Sequence, residues 1–328
     1  MLKKGMALLI SVLLCTLFVN APMLAAQTDF SANTLKISDS EILNYWLFTP
    51  KNARDNMPLI VYLHGGSGRG NDINKLTENG LCKWVSEGEF DNTGAYIVFP
   101  QLDTKYKEGW AANKSGVQKL IEYLVKTYHI NTNKISLTGH SMGGTGTLAL
   151  GAAFPRLFSC IAPLSGSLNA DSDTVSALSA VPIFAFCGSE DTIVPPESSE
   201  KIIRAVRALG GNAELITIDG ADHFSVPELV YLDKNLNLIE KLAQYEKKNE
   251  ITKTDENGVF LRTQIPGEYA VLFAGFDESG KLIDCRTAQQ NFALGINKIS
   301  LPQGFETGTK TKYLIFDIKD GMRLVCEK

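Results

Sequence analysis

Between Leu35 and Gln244 the chain alternates short, nearly unbroken apolar runs with segments of helical periodicity, and this alternation limits the fold more than any other feature. The runs are Leu59–Leu63, Tyr96–Phe99, Ile135–Leu137, Ile161–Leu164, Ile183–Phe186 and Leu215–Ile218. Runs of this length without polar alternation suit strands of a parallel sheet covered on both faces. Between them Val117, Leu120, Ile121, Leu124, Val125 and Tyr128 recur at helical spacing, which gives one apolar face. Ile202, Ile203, Val206 and Leu209 do the same, and Gly210-Gly211 supplies a stop. Strand–helix alternation of this kind predicts an α/β fold with a mostly parallel central sheet.

The pattern changes after Leu242. Residues 246–257 are polar and charged and read as a linker. Beyond them helical periodicity disappears, and runs rich in β-formers follow: Tyr269–Phe276, Lys281–Arg286, Ile296–Leu301, Tyr313–Ile318 and Met322–Val325. Turn signals such as Asp277-Glu278-Ser279-Gly280 and Asp320-Gly321 separate them. Residues 258–328 are therefore expected to form a small all-β domain, a sandwich. The first domain spans 27–245.

At the other end, Lys3 and Lys4 precede an apolar run from Met6 to Val19 and then the small residues of Ala21–Ala26. This three-part layout predicts a secretory signal peptide over 1–26, cleaved after Ala25 or Ala26. The run is shorter than the roughly 20 residues of a spanning helix. No second long apolar stretch follows, so the cleaved chain is expected to be secreted and free of the membrane. A net charge of −4 without a long basic run gives a nucleic-acid partner no electrostatic support.

The chemistry centres on Gly139-His140-Ser141-Met142-Gly143-Gly144, between the strand at 135–138 and a helical run from Thr145 to Ala153. G-x-S-x-G in a strand–turn–helix setting is a nucleophile elbow, with Ser141 lifted above the sheet on a sharp turn. Side chains at Gly139 or Gly143 would collide with neighbouring segments. A serine needs a general base near neutral pH, and the chain has four histidines. His140 is expected to point away from Ser141, His129 to lie on the surface and His64 to brace its own loop. His223, after the last core run, opens toward the end of the sheet where Ser141 emerges and is assigned as base. Asp191, which closes the segment from Phe184, is assigned as its orienting carboxylate ahead of Glu190 and Asp222. The order Ser141, Asp191, His223 is that expected for this elbow. Backbone N–H donors for an oxyanion are placed at Met142 and at Gly66 or Ser67, in the glycine run after Leu63. That run lacks the Lys-Ser/Thr ending of a phosphate cradle. Gln101 and Trp110 are expected to line the pocket, and Trp110 could equally cap the core.

Five cysteines follow Cys15. Their wide spacing offers no zinc pattern, so no zinc site is expected. Cys160 and Cys187 fall in apolar runs and read as buried thiols. Cys285 and Cys326 could pair, since both fall in the C-terminal segment.

Two segments carry a family resemblance. Pro58–Gly68 with Gly70-Asn71-Asp72, and Asn133–Gly144 continuing to Phe154-Pro155 and Ala162-Pro163-Leu164-Ser165-Gly166, resemble bacterial esterases of the phospholipase/carboxylesterase and feruloyl-esterase-like group. The resemblance covers roughly residues 35–245. It implies an α/β-hydrolase fold and hydrolysis of an acyl ester through an acyl-enzyme, without metal or organic cofactor. The partner it implies is a small-molecule or polysaccharide-linked ester, such as one carrying acetyl or feruloyl groups. That group is similar to prolyl-oligopeptidase-type peptidases, so a serine peptidase is the alternative, although no acidic site for a free N-terminus stands out in the sequence. A binding protein on an inactivated scaffold would lack a triad member, and all three are present. The C-terminal segment resembles β-rich accessory domains of secreted enzymes.

Overall fold

The computed structural model describes residues 29–255 and 257–327, so the expected signal peptide lies outside the described residues. A hairpin of β1 (Asp29–Ser38) and β2 (Glu41–Thr49) opens the fold. There follow β3 (Leu59–Leu63), α1 (Gly80–Ser86), β4 (Tyr96–Pro100), α2 (Lys114–Tyr128), β5 (Ile135–His140), α3 (Met142–Ala153) and β6 (Cys160–Leu164). The domain closes with α4 (Ser172–Ser179), β7 (Ile183–Gly188), α5 (Pro196–Ala208), β8 (Ala213–Ile218), α6 (Val226–Tyr231) and α7 (Leu238–Gln244).

All six apolar runs become strands of one eight-stranded sheet, ordered β1-β2-β4-β3-β5-β6-β7-β8. From β4 to β8 every pairing is parallel, and the β1–β2 hairpin adds an antiparallel edge. Alternate side chains of β3 serve two cores. Leu59, Val61 and Leu63 pack with Val117, Leu120 and Leu124 of α2, whereas Ile60 and Tyr62 pack with Leu81 of α1 and Leu242 of α7. Strands apolar on both faces fit this double cover. Each fully buried Leu, Ile or Val contributes about 1.5–3 kcal/mol by leaving water. The chain order reverses across β4-β3-β5, which makes the loops after β3 and β5 neighbours at a topological switch point. The hairpin went unread in the sequence, although Leu43, Tyr45 and Leu47 alternate inward along β2.

The C-terminal module holds β9 (Glu250–Asp255), β10 (Gly258–Thr263), β11 (Gly267–Phe276), β12 (Leu282–Phe292), β13 (Gly295–Ser300), β14 (Lys310–Asp317) and β15 (Arg323–Glu327). They form two antiparallel sheets, β13-β10-β9 and β12-β11-β14-β15. The sheets enclose a core of Val259, Leu261, Val271, Phe273, Ile299 and Ile315.

Two expectations are corrected here. Residues 250–255, read as linker, form β9 and pair with β10, because Ile251 turns inward to this core despite the charged residues around it. A Cys285–Cys326 bridge is ruled out by sheet order. The two cysteines lie on the opposite edge strands β12 and β15, three strand spacings or about 14 Å apart, against a limit of about 7 Å between bridged Cα atoms.

The module docks on the N-terminal ends of the parallel strands. Gln264 Nε2 donates to the Ser159 carbonyl just before β6, at 2.8 Å. Lys247 N donates to the Asn133 carbonyl before β5, at 3.0 Å. Among the described residues, no helix is long and apolar enough to cross a membrane.

Candidate active site

The loops at the opposite, C-terminal ends of the strands converge on Ser141. This residue links β5 to α3 with φ +59° and ψ −120°, a conformation that L side chains rarely adopt. The turn holds its place because its flanks are glycine. A Cβ on Gly143 would lie 1.9 Å from the Leu63 carbonyl oxygen, and one on Gly139 2.5 Å from the same atom. The elbow is thus packed directly against the end of β3.

His223 stands in the loop between β8 and α6, and its Nε2 is 2.8 Å from Ser141 Oγ. Its Nδ1 is 2.8 Å from Asp191 Oδ2, in the loop after β7. Asp191 accepts with its other oxygen from the N–H groups of Ile193 (3.0 Å) and Val194 (2.8 Å). Burial pushes the Asp191 carboxyl up, but the Val194 N–H and the His223 ring outweigh it and hold the carboxyl below its usual range. An ionised Asp191 needs a proton on His223 Nδ1, which leaves Nε2 free to accept from the Ser141 hydroxyl. The two competing carboxylates are occupied elsewhere. Asp222 caps its own turn, accepting from Phe224 N (3.0 Å) and Ser225 N (2.8 Å), and Glu190 is exposed.

Met142 begins α3, so its N–H is one of the unpaired donors of a helix start beside Ser141. The loop after β3 passes close by: a Cβ on Gly65 would lie 3.7 Å from Ser141 Cβ. Gly66 and Ser67 follow, exposed and lining the same cleft as Ser141 and His223. His64 braces this loop as expected. Its Nε2 accepts from Leu102 N (3.0 Å), and its Nδ1 donates to the Gly65 carbonyl (2.6 Å). Burial lowers its pKa to about 4, so it stays neutral in that role.

Gln101 and Trp110 are corrected. Gln101 is buried beneath the loop and donates to the carbonyls of Gly68 (3.1 Å) and Asp72 (2.6 Å). Trp110 is buried as well, donating to the His64 carbonyl (3.0 Å) with its ring edge-on to that imidazole. Both hold the glycine loop from behind, and neither faces the cleft. His140 departs from expectation in the other direction. It lines the cleft with its ring centroid 4.7 Å from that of His223. Burial first, and the His223 charge second, lower its pKa to about 4.

The cleft over Ser141 has a volume of about 750 Å³. Its walls include residues that the sequence reading missed: Ile193, Phe224, Trp84, Glu78 and Glu228. The signal for two of them was present, because Ile193 and Phe224 follow Asp191 and His223 almost immediately in otherwise polar loops. Among the described residues no group of three or more His, Cys, Asp or Glu side chains is arranged to hold a metal.

Sheet topology and the elbow at Ser141 are those of the α/β-hydrolase fold. Comparison with known proteins agrees. A family model for phospholipase/carboxylesterase matches residues 98–240. The bifunctional acetylxylan esterase/xylanase XynS20E of Neocallimastix patriciarum is 27% identical over 165 residues, 49% of this chain and 23% of that protein. Acetylxylan esterase A of Aspergillus oryzae is 24% identical over 150 residues, 44% of this chain and 46% of that protein. The chain therefore spans less than half the length of these relatives. Among solved structures, a thermostable esterase superposes with a TM-score of 0.59 at 26% identity, covering 67% of this chain and 64% of that one. A ferulic acid esterase, at 19% identity and a TM-score of 0.52 over 67% of this chain and 99% of that one, shares the fold.

Proposed function

We propose that the chain is a secreted serine hydrolase that cleaves carboxylic esters through an acyl-enzyme, and that its esters are acetyl or feruloyl groups on plant polysaccharide. One observation carries the chemistry: the unbroken hydrogen-bond chain from Asp191 through His223 to Ser141, each link 2.8 Å. Ser141 Oγ attacks the ester carbonyl while its proton passes to His223 Nε2. The oxyanion that forms is met by the Met142 N–H and by an N–H of Gly66 or Ser67. His223 then gives the proton to the leaving alcohol as the C–O bond breaks, and the acyl group stays on Ser141. Water reverses these steps. It loses a proton to His223, attacks the acyl carbon and releases the carboxylic acid, while Ser141 recovers its hydrogen. Asp191 keeps the imidazole in the required tautomer and stabilises the imidazolium. The acetylxylan esterase relatives and the signal-like N-terminus support the polysaccharide ester and export.

The test is an activity screen of the protein lacking residues 1–26. It compares p-nitrophenyl acetate, methyl ferulate, acetylated xylan and aminoacyl nitroanilides, with Ser141→Ala as control. Ester hydrolysis lost in Ser141→Ala is the expected result, and hydrolysis indifferent to that substitution refutes the proposal. A serine peptidase is the second reading. Glu78 and Glu228 in the cleft could receive a substrate ammonium group, which favours it, and cleavage of the nitroanilides in preference to every ester would establish it.

A further inference from the structure

We infer that the cleft contains a leaving-group subsite for a neutral sugar ring, with Phe224 as its stacking wall. The inference rests on the ester hydrolysis proposed above. In that reaction the leaving oxygen must come within hydrogen-bond reach of His223 Nε2, so the alcohol occupies the His223 side of the cleft. Phe224 is the next residue, its ring edge-on to the imidazole at 5.5 Å and 86°. It remains 76% exposed. A single exposed apolar side chain is ordinary. Here a second one, Ile193, is 56% exposed on the loop that carries Asp191, and both line the cleft over Ser141. Trp84, half-buried in α1, adds a third apolar wall.

The remaining walls are polar. Asn79, Glu78, Glu228 and Lys83 line the same cleft and offer donors and acceptors for hydroxyl groups. An aromatic face beside such groups suits a pyranose, whose C–H face packs on a ring while its hydroxyls turn to the polar wall. The charges choose among sugars. Glu78 and Glu228 bring two negative charges, and the ammonium of Lys83 is already paired with Glu87 at 2.8 Å. A uronate or a phosphate on the leaving group would meet net repulsion, which a neutral xylose- or glucose-type ring avoids.

The test compares wild type with Phe224→Ala, Phe224→Trp and Glu228→Gln on acetylated xylotetraose, acetylated tetragalacturonate, methyl acetate and an aminoacyl nitroanilide. Phe224→Ala should lower kcat/KM for acetylated xylotetraose roughly tenfold more than for methyl acetate, the loss falling in KM, and Phe224→Trp should restore most of it. Wild type should prefer the neutral oligosaccharide to the uronate, and Glu228→Gln should narrow that preference. Equal losses on both acetyl esters in Phe224→Ala would overturn the inference, as would a preference for the uronate or for the nitroanilide. A wild-type enzyme that cleaves neither the acetyl esters nor methyl ferulate would refute the ester hydrolysis itself, a failure separable from loss of sugar selectivity alone.

Discussion

Two carboxylates of this chain meet nitrogen bases at opposite ends of one sheet, with nearly the same geometry and quite different consequences. At the C-terminal ends of the strands, Asp191 meets His223 at 2.8 Å. At the N-terminal ends, Glu250 of β9 meets the fully buried Arg262 of β10 at 2.7 Å. Burial pushes each carboxyl up, yet both are held below their usual range, Asp191 chiefly by the Val194 N–H and Glu250 by the Arg262 guanidinium. The base makes the difference. A guanidinium keeps its proton at any working pH and can only hold, whereas an imidazole can take a proton from Ser141 and return it. The Arg262 pair therefore ties β9 to β10 within the β-module, next to Gln264, whose bond to Ser159 joins the module to the large sheet. The His223 pair is built to move a proton in the proposed reaction. Hydrogen-bond geometry alone does not separate a structural pair from a reactive one.

Substitution should pull the two pairs apart. Asp191→Asn preserves shape but allows the wrong imidazole tautomer, and kcat for ester hydrolysis should fall by about 10⁴ while the unfolding temperature stays close to wild type. Arg262→Ala should do the reverse. It leaves kcat/KM near wild type and lowers stability by about 2 kcal/mol, below the range for a fully buried pair because Glu250 remains partly exposed. An activity loss in Arg262→Ala equal to that in Asp191→Asn would mean that the module governs the site. Gly143→Ala should affect both readouts, since its Cβ would meet the Leu63 carbonyl oxygen at 1.9 Å. Activity and melting temperature should fall together, whereas an active, stable variant would show that the elbow relaxes.

The smallest expected effect is a pH dependence. His64 and His140 each have a folded pKa of about 4, below the ordinary 6.5. The unfolded chain therefore binds protons before the folded one as pH falls. Stability from these two groups is full above about pH 6.5 and declines toward pH 4. His140→Phe should remove part of that decline, seen as a smaller drop in the urea midpoint between pH 7 and pH 4.5. Parallel drops in variant and wild type would contradict it.

Much of this was legible in the sequence because the signals were local. Apolar runs named the strands, and the glycines around Ser141 named the elbow. Asp191 and His223 were legible as residues in loops that follow apolar strand runs, and their order after Ser141 is the one α/β-hydrolases lead one to expect. What escaped depended on partners distant in sequence. Gln101 and Trp110 sit in loops after β4, where a pocket-lining role was reasonable, yet their polar atoms are taken up by the carbonyls of Gly68, Asp72 and His64. β9 was hidden because one inward residue, Ile251, anchors a strand otherwise made of polar side chains. His140 escaped because its ring packs on that of His223, a residue far away in sequence.

The proposed reaction needs Ser141 as nucleophile and His223 as the base that activates it. A fluorophosphonate probe followed by peptide mass spectrometry tests it most directly, because the serine oxygen bonds to phosphorus as fluoride leaves. One label is expected, on Ser141, absent in Ser141→Ala and strongly slowed in His223→Ala. A label on another residue, or full ester hydrolysis after Ser141 is blocked, would contradict it.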